Sequence, residues 1–350
     1  MKKLLFIDTE QYGYHTDVYK FCQHLKNYET TVICYDTGLN RIISDKIKVV
    51  YVKAGKNKKI NLLFFLIRCL LYIFSTYDFC FICFFPHCEL LKIISRKKLH
   101  LDIRSMCVSQ SEYWRKDFDS KLKNSIKYFD SISAISNGIA RKLSLNDYYP
   151  LPLGADIISS TNKDFSTLHL LYIGVLSNRH IYETVSGINM FLMRHKDVKL
   201  VYDIVGYGSE ESVINEMIKN YNLDEIITMH GRKPYHELKH YLDVANIGIS
   251  YIPMADYYDY QPPTKTFEYV LSGLYCIATA TSANKDVISK ENGILIQDNS
   301  ESFAEALEYI LFNKDSFRSE KIVSSLKNYQ WEKIVTNYLI PIIENESKNQ

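Results

Sequence analysis

Lys265 and Glu268 stand three residues apart in QPPTKTFEYVLSG (Gln261–Gly273), directly behind a pair of prolines. Pro262 and Pro263 end a loop, and Thr264 reads as the N-cap of a helix beginning at Lys265. A cation in a first turn opposes the positive end of the helix dipole, at a cost of roughly a few tenths of a kcal/mol. A phosphate group placed there reverses the sign, because the exposed N–H groups and the ammonium both attract it. Glu268 falls on the same helix face and has the chemistry to accept two ribose hydroxyls. The alternative is an i,i+3 surface ion pair, and these residues alone do not choose between the two.

Three further loops carry compatible chemistry. Tyr172-Ile173-Gly174-Val175-Leu176-Ser177-Asn178-Arg179 reads as a strand, a glycine turn and a cation at a helix entrance. Glycine lets backbone approach a ligand closely, and a guanidinium forms forked contacts with diphosphate oxygens. Val205-Gly206-Tyr207-Gly208-Ser209-Glu210-Glu211 repeats the strand–glycine–helix theme, but lacks the third glycine of a dinucleotide fingerprint. Met229-His230-Gly231-Arg232 is another loop after a strand, suited to holding a base edge through its backbone. Each alone is an ordinary βα turn. Four in one region, with Lys265 and Arg179 among their residues, are harder to dismiss.

The elements that must position these loops alternate along the chain. In the first half, Leu4–Ile7, Thr31–Tyr35, Val49–Val52, Phe79–Phe85, Leu99–Ile103 and Ser131–Ile135 read as strands, with helical patterns at Asp17–Lys26, about 60–75 and Phe118–Tyr128. The polar stretch Asp156–Thr167 reads as a linker. The pattern then restarts with strands at Leu168–Ile173, Leu200–Val205, Glu225–Met229, Ile247–Tyr251, Tyr275–Ala278 and Gly293–Ile296. Helices near 181–194, 209–220, 235–244, 265–272 and 302–312 lie between them, and Trp331–Ile343 reads as a last helix. The expectation is an α/β chain of two Rossmann-like, doubly wound domains, with chemistry in the loops after the strands. Their bounds are read as 1–155 and 156–328, with a helix and tail at 329–350 that returns to the first domain.

Composition excludes some classes. The 350 residues carry 42 Lys and Arg against 40 Asp and Glu, a net charge of +2 that does not suit a dedicated nucleic-acid binder. Cys80 and Cys83 form a C-x-x-C, but within the apolar run Phe79–Phe85 they fall on opposite faces of a strand, and no second C-x-x-C completes a zinc site. The cysteines read as small buried hydrophobes of a reducing compartment. Met1–Lys3 is followed by only four apolar residues before Asp8, too few for a secretory core, and the expected location is the cytoplasm.

The order Y-I-G…R, V-G-Y-G-S-E-E, H-G-R, E-L-x-x-Y-L and P-T-K-T-F-E-Y-V-L-S-G-L-Y-C-I-A resembles the family 4 glycosyltransferases of GT-B fold, most clearly over Leu168–Asp298. The resemblance implies two such domains facing across a cleft, a UDP- or GDP-sugar donor in the second, and retaining transfer to a glycan or lipid-linked acceptor held by the first. Capsule, O-antigen or exopolysaccharide assembly is the implied setting. Arg179 and Lys265 correspond to the donor-diphosphate cations, and Glu268 to the ribose-holding second glutamate of an E-x7-E motif. Gly174, Gly206, His230, Gly231 and Thr264 fall in the implied donor loops. Gly13, within Glu10–His15, sits where the family places a glycine loop against the donor phosphate, with one glycine in place of the usual pair.

The departures from the family pattern are specific. Tyr260 stands where the first motif glutamate belongs, so sugar recognition must differ; Asp256 and Asp259 are candidate substitutes. Val175 replaces the usual basic residue after Gly174, which leaves Arg179 as the cation of that loop. Asp102 and Arg104 end a strand of the first domain, as acceptor or donor ligands or as a structural pair. Asp117-Phe118-Asp119 mimics a metal-binding D-x-D, but its charged helical setting reads as a helix N-terminus. The implied chemistry therefore uses no metal and no cofactor beyond the nucleotide sugar. A nucleotide-sugar epimerase, or a non-catalytic nucleotide-sugar-binding subunit, are the rival readings.

Lys53–Lys59 (KAGKNKK) precedes the apolar helix pattern at 60–75. Lys53–Ile73 reads either as a solvated loop before a core helix or as a basic, amphipathic segment at the inner face of a membrane.

Overall fold

The computed structural model describes residues 1–348 and divides into two compact units. Unit 1 comprises Met1–Leu153 together with the segment from Trp331 onward, and unit 2 is Gly154–Gln330.

Unit 1 runs β1 (Lys3–Ile7), α1 (Thr16–His24), β2 (Glu29–Asp36), β3 (Ile47–Lys53), α2 (Lys58–Ile73), β4 (Phe79–Cys83), α3 (Glu89–Ser95), β5 (His100–Ile103), α4 (Glu112–Ile126), β6 (Ser131–Ala134), α5 (Asn137–Lys142) and β7 (Tyr149–Pro150). All seven strands pair in parallel in the order β3-β2-β1-β4-β5-β6-β7. Unit 2 runs β8 (Leu168–Val175), α6 (Tyr182–Arg194), β9 (Leu200–Tyr207), α7 (Glu211–Asn220), β10 (Ile227–Gly231), α8 (Leu238–Val244), β11 (Ile247–Ser250), α9 (Thr264–Leu271), β12 (Tyr275–Thr279), α10 (Ser282–Lys285), β13 (Gly293–Ile296), α11 (Ser300–Asn313) and α12 (Ser319–Ser325). Its six strands are also parallel, in the order β10-β9-β8-β11-β12-β13. The chain then closes with α13 (Trp331–Ile334), a π-helical turn at Val335–Leu339 and α14 (Ile340–Lys348), where Trp331 packs edge-on against Phe21 of α1.

The central strands are apolar on both faces, as two-sided burial demands: every residue of β4, β11 and β12 is buried. Each sheet reverses its strand order once, between β1 and β4 in unit 1 and between β8 and β11 in unit 2. Crevices at such reversals, beyond the carboxyl ends of the strands, are where open α/β sheets bind ligands.

Several expectations need correction. Residues 156–167 are no free linker: Lys163, Ser159 and Phe165 are buried in unit 2, with the Lys163 ammonium bonded to the Leu242 carbonyl and to Ser159 Oγ (3.1 Å). A polar composition hid anchoring side chains whose donors find backbone acceptors. Strand β10 begins at Ile227 rather than Glu225, after a turn in which Ile226 and Ile227 donate to the Leu223 carbonyl. The short elements α3, α5, α10, α12 and β7 carry too little periodicity to be read as expected elements. The D-x-D lies in the middle of α4 instead of at its start, Asp117 pairing with Lys121 (2.6 Å) and Asp119 accepting from the Cys107 N–H (3.1 Å). All cysteines except Cys107 are buried. Among the described residues no helix is long and apolar enough to cross a membrane.

Candidate functional site

The strand-order reversal of unit 2 brings together the end of β8 and the start of α9. Helix α9 is fixed to the sheet by its buried face. Tyr269 lies over Gly248 of β11, where any Cβ would collide with the ring, and its hydroxyl accepts from the Ile173 N–H at 2.7 Å. Thr266 bonds Ser250 Oγ at 2.7 Å and Asn284 Oδ1 at 3.0 Å. Lys265 directly precedes Thr266 in the first turn of this helix. Its ammonium sits 3.9 Å from the Tyr172 ring centroid, a cation–π contact, and close against Gly174.

Gly174 is required here. A Cβ at this position would lie 2.7 Å from Lys265 Nζ, and the backbone φ of +154° is one that side chains rarely adopt. Gly206, beside it on β9, would drive a Cβ into the Gly174 carbonyl. The two glycines thus let the strand ends and the lysine converge.

Arg179 joins them from the loop after β8. Asn178 (φ 56°) and His180 (φ 54°) flank it in the left-handed region, a conformation that non-glycine residues hold only when surroundings impose it. The imposing group is Glu210, whose Oε2 accepts from the His180 N–H at 2.9 Å and the Arg179 N–H at 3.4 Å. The Arg179 guanidinium stacks 4.5 Å from the Tyr258 ring centroid and donates to the Tyr258 hydroxyl. Burial, then the charge of Arg179, push the Lys265 ammonium down to about 7, with Glu268 opposing. Two cations held close enough to disfavour each other are what a multivalent anion relieves.

Thr264 is not the cap expected of it. It is the first helical residue; Pro263 occupies the N-cap position, and no side chain caps the helix. Proline's fixed φ ends the loop without offering a hydrogen-bonding side chain. Asp259, a candidate substitute for the missing motif acid, is engaged within the protein: its two oxygens accept from Ser282, at 2.8 Å from the N–H and 2.6 Å from Oγ. Tyr260 lies in the turn that precedes the proline pair, next to Tyr258 and Asp259 in sequence. Glu268 lies on α9 within electrostatic reach of Lys265 and of Tyr235.

His230 and Gly231 end the edge strand β10 at a register shift, with Gly231 at φ 65°. The His230 ring is already engaged: its Nε2 lies 2.6 Å from Asp203 Oδ1, while His169 Nε2 lies 2.6 Å from Asp203 Oδ2. Burial works against the Asp203 charge, yet the two imidazoles hold its carboxyl below the ordinary range.

In unit 1 the reversal between β1 and β4 carries a different set. Asp8 follows β1 and its Oδ2 lies 2.6 Å from His15 Nδ1; burial disfavours the imidazolium, but the Asp8 bond and charge, with Asp17 behind, lift its pKa to about 9. Asp102 and Arg104, read either as ligands or as a structural pair, have buried side chains. Arg104 is committed to Asp17 Oδ2 (2.5 Å) and the Leu151 carbonyl (2.7 Å), and Asp102 accepts from Ser133 Oγ. Burial raises the Asp102 carboxyl to about 6. Side chains this buried keep their charge only through such partners; Asp102 Oδ2 has no hydrogen bond and lies 3.7 Å from Arg104 Nε. Gly13 (φ +95°) makes a turn packed under Ile42. Asp8, His15 and Cys83 are the grouping of potential metal ligands found among the described residues, with burial raising the Cys83 thiol well above its usual range. His15, Asp17, Glu210 and Tyr258 were missed in the sequence: the partners of Asp17, Glu210 and Tyr258 are distant along the chain, and only His15 and Glu210 fell inside a recognised motif.

Residues 161–325 match the family of glycosyl transferases group 1. No curated protein sequence matches the chain. Among solved structures, sucrose-phosphate synthase from Thermosynechococcus elongatus matches with a TM-score of 0.79 at 15% identity, covering 100% of both chains. The lipopolysaccharide outer core galactosyltransferase WaaB, in its apo form, gives 0.74 at 14% over 99% of this chain and 100% of that one. HepE of Anabaena, in complex with UDP and glucose, gives 0.74 at 10% over 99% and 100%. The chain has the GT-B fold, two Rossmann-like domains each built on a parallel sheet.

Proposed function

We propose that the chain is a retaining, metal-independent glycosyltransferase that binds the diphosphate of a UDP- or GDP-sugar at the strand-order reversal of unit 2. The observation that carries this reading is the convergence of the Lys265 ammonium and the Arg179 guanidinium at a glycine pair and an uncapped helix start. As the sugar leaves, negative charge develops on the diphosphate. Lys265, Arg179 and the N–H groups at the start of α9 stabilise it without reorganising. Lys265 binds as the protonated ammonium, so an incoming diphosphate raises its pKa again and draws a proton from solvent. Glu268 is positioned along the same helix for the ribose, and the loop at His230–Gly231 for the base edge. Tyr260 replaces the acid that would otherwise meet the sugar hydroxyls, so donor choice rests on this loop. The acceptor, a glycan or lipid-linked glycan of surface-polysaccharide assembly, falls to unit 1.

A panel of UDP-, GDP- and dTDP-sugars screened by thermal shift identifies the donor, since stabilisation follows affinity. NMR of the products with that donor and an acceptor mixture then shows a glycoside of unchanged anomeric configuration, also in the presence of a chelator. An epimerised donor formed without acceptor would replace this reading with the epimerase. Binding with no turnover on any acceptor would replace it with a binding subunit.

A further inference from the structure

Helix α2 presents an uncovered apolar stripe. Ile60 (50% exposed), Leu63 (57%), Phe64 (61%), Ile67 (45%), Leu71 (62%) and Phe74 (57%) follow the i, i+3, i+4, i+7 spacing of one helix face. The opposite face, Phe65, Leu66, Cys69 and Ile73, is buried. Core packing therefore uses only half of this apolar helix. The neighbouring α3 adds Leu90, Ile93 and Ile94, also exposed. A soluble surface seldom leaves so many large apolar side chains together.

Charge says what covers them. From Lys53 to Tyr77 there is no acidic residue, whereas Lys53, Lys56, Lys58, Lys59 and Arg68 are all exposed. A groove between the end of β3 and the stripe is lined by Lys53 and Arg68 together with Phe64, Ile67 and Leu71, so cations and apolar groups meet in one place. An isologous contact with a second copy would set these cations against their own images. A surface of acyl chains below anionic headgroups satisfies both components at once.

We propose that the α2–α3 face docks on an anionic lipid bilayer, with α2 lying in the plane of the interface and the Lys53–Lys59 segment among the headgroups. This inference stands apart from the transfer reaction, because none of these residues belongs to the nucleotide site of unit 2.

Co-sedimentation of the full chain with phosphatidylglycerol-containing vesicles and with pure phosphatidylcholine vesicles tests it. The wild type pellets with the anionic vesicles, releases as salt is raised, and stays in solution with the neutral ones. Phe64→Glu/Leu71→Glu, at positions already in water, lowers the partition coefficient at least tenfold while circular dichroism and nucleotide affinity stay unchanged. Lys56→Glu/Lys58→Glu/Lys59→Glu does the same through charge alone. Wild-type protein remaining in the supernatant with both vesicles overturns the proposal. So does a wild-type dimer in light scattering that Phe64→Glu/Leu71→Glu makes monomeric without changing vesicle binding.

Discussion

The two sheets reverse strand order once each, and the residues standing at the reversals differ in kind. In unit 1 the ionisable groups sit in opposite-charge pairs, Asp8 with His15 and Asp17 with Arg104, while Asp102 accepts from Ser133 through Oδ1 and leaves Oδ2 without a hydrogen bond. In unit 2, Lys265 and Arg179 approach one another over aromatic rings, and their mutual repulsion with burial brings Lys265 down to about 7. A matched set holds a strand end together. A like-charged set is stable only at a cost that a ligand removes. The lesson is that the same topological position draws opposite charges together in one unit and two cations together in the other.

The comparison breaks most visibly at Arg104. Arg104→Met leaves Asp17 and Asp102 buried without their cation and is expected to cost about 3–5 kcal/mol of stability. Chemical denaturation measures it, and the protein that remains folded binds nucleoside diphosphate as the wild type does. Lys265→Met has the converse profile, lowering diphosphate affinity on the order of 10²-fold in a calorimetric titration. Its effect on stability has the opposite sign. The unfolded lysine holds its proton up to about 10.4, the folded one only to about 7, so the unfolded state binds more protons between those values. Stability therefore rises with pH through that window, and below it the wild type carries the full penalty. Lys265→Met is expected to melt higher at neutral pH and below, by on the order of 2–4 °C. A melting temperature that falls would mean Lys265 is structural, like Arg104.

Gly174→Ala sharpens the geometry with a smaller effect. The added methyl displaces the ammonium and lowers diphosphate affinity about tenfold. In a Lys265→Met background the same substitution costs much less, and that non-additivity in a double-mutant cycle identifies the lysine as the group displaced.

The sequence made the parallel sheets legible because strands buried on both faces are apolar throughout, and the restart of the pattern near Leu168 marked the second domain. Lys265 stood out because its position in a first turn is unfavourable without an anion. What stayed hidden depends on contacts distant along the chain. Arg104 stayed open between ligand and structural group because nothing nearby in sequence announces Asp17 or the Leu151 carbonyl as its partners. Asp259 looked available until Ser282 folded back on it. Thr264 looked like a cap because composition cannot separate a cap from a first helical residue after proline. The apolar run at 60–75 did show helix periodicity, but which face met the sheet was not readable from the run itself.

The central claim is that the reversal in unit 2 is a diphosphate site completed by a protonated lysine. Its most direct test is isothermal titration of wild type and Lys265→Met with the cognate nucleoside diphosphate, across pH 6.5–9 in buffers of different ionisation enthalpy. With Lys265 free near 7, the account predicts proton uptake by the wild type above that pH and an affinity that falls as pH rises, by up to about tenfold per unit for one coupled proton; Lys265→Met shows neither. Equal affinity in the two proteins, or wild-type binding without proton uptake, would contradict it.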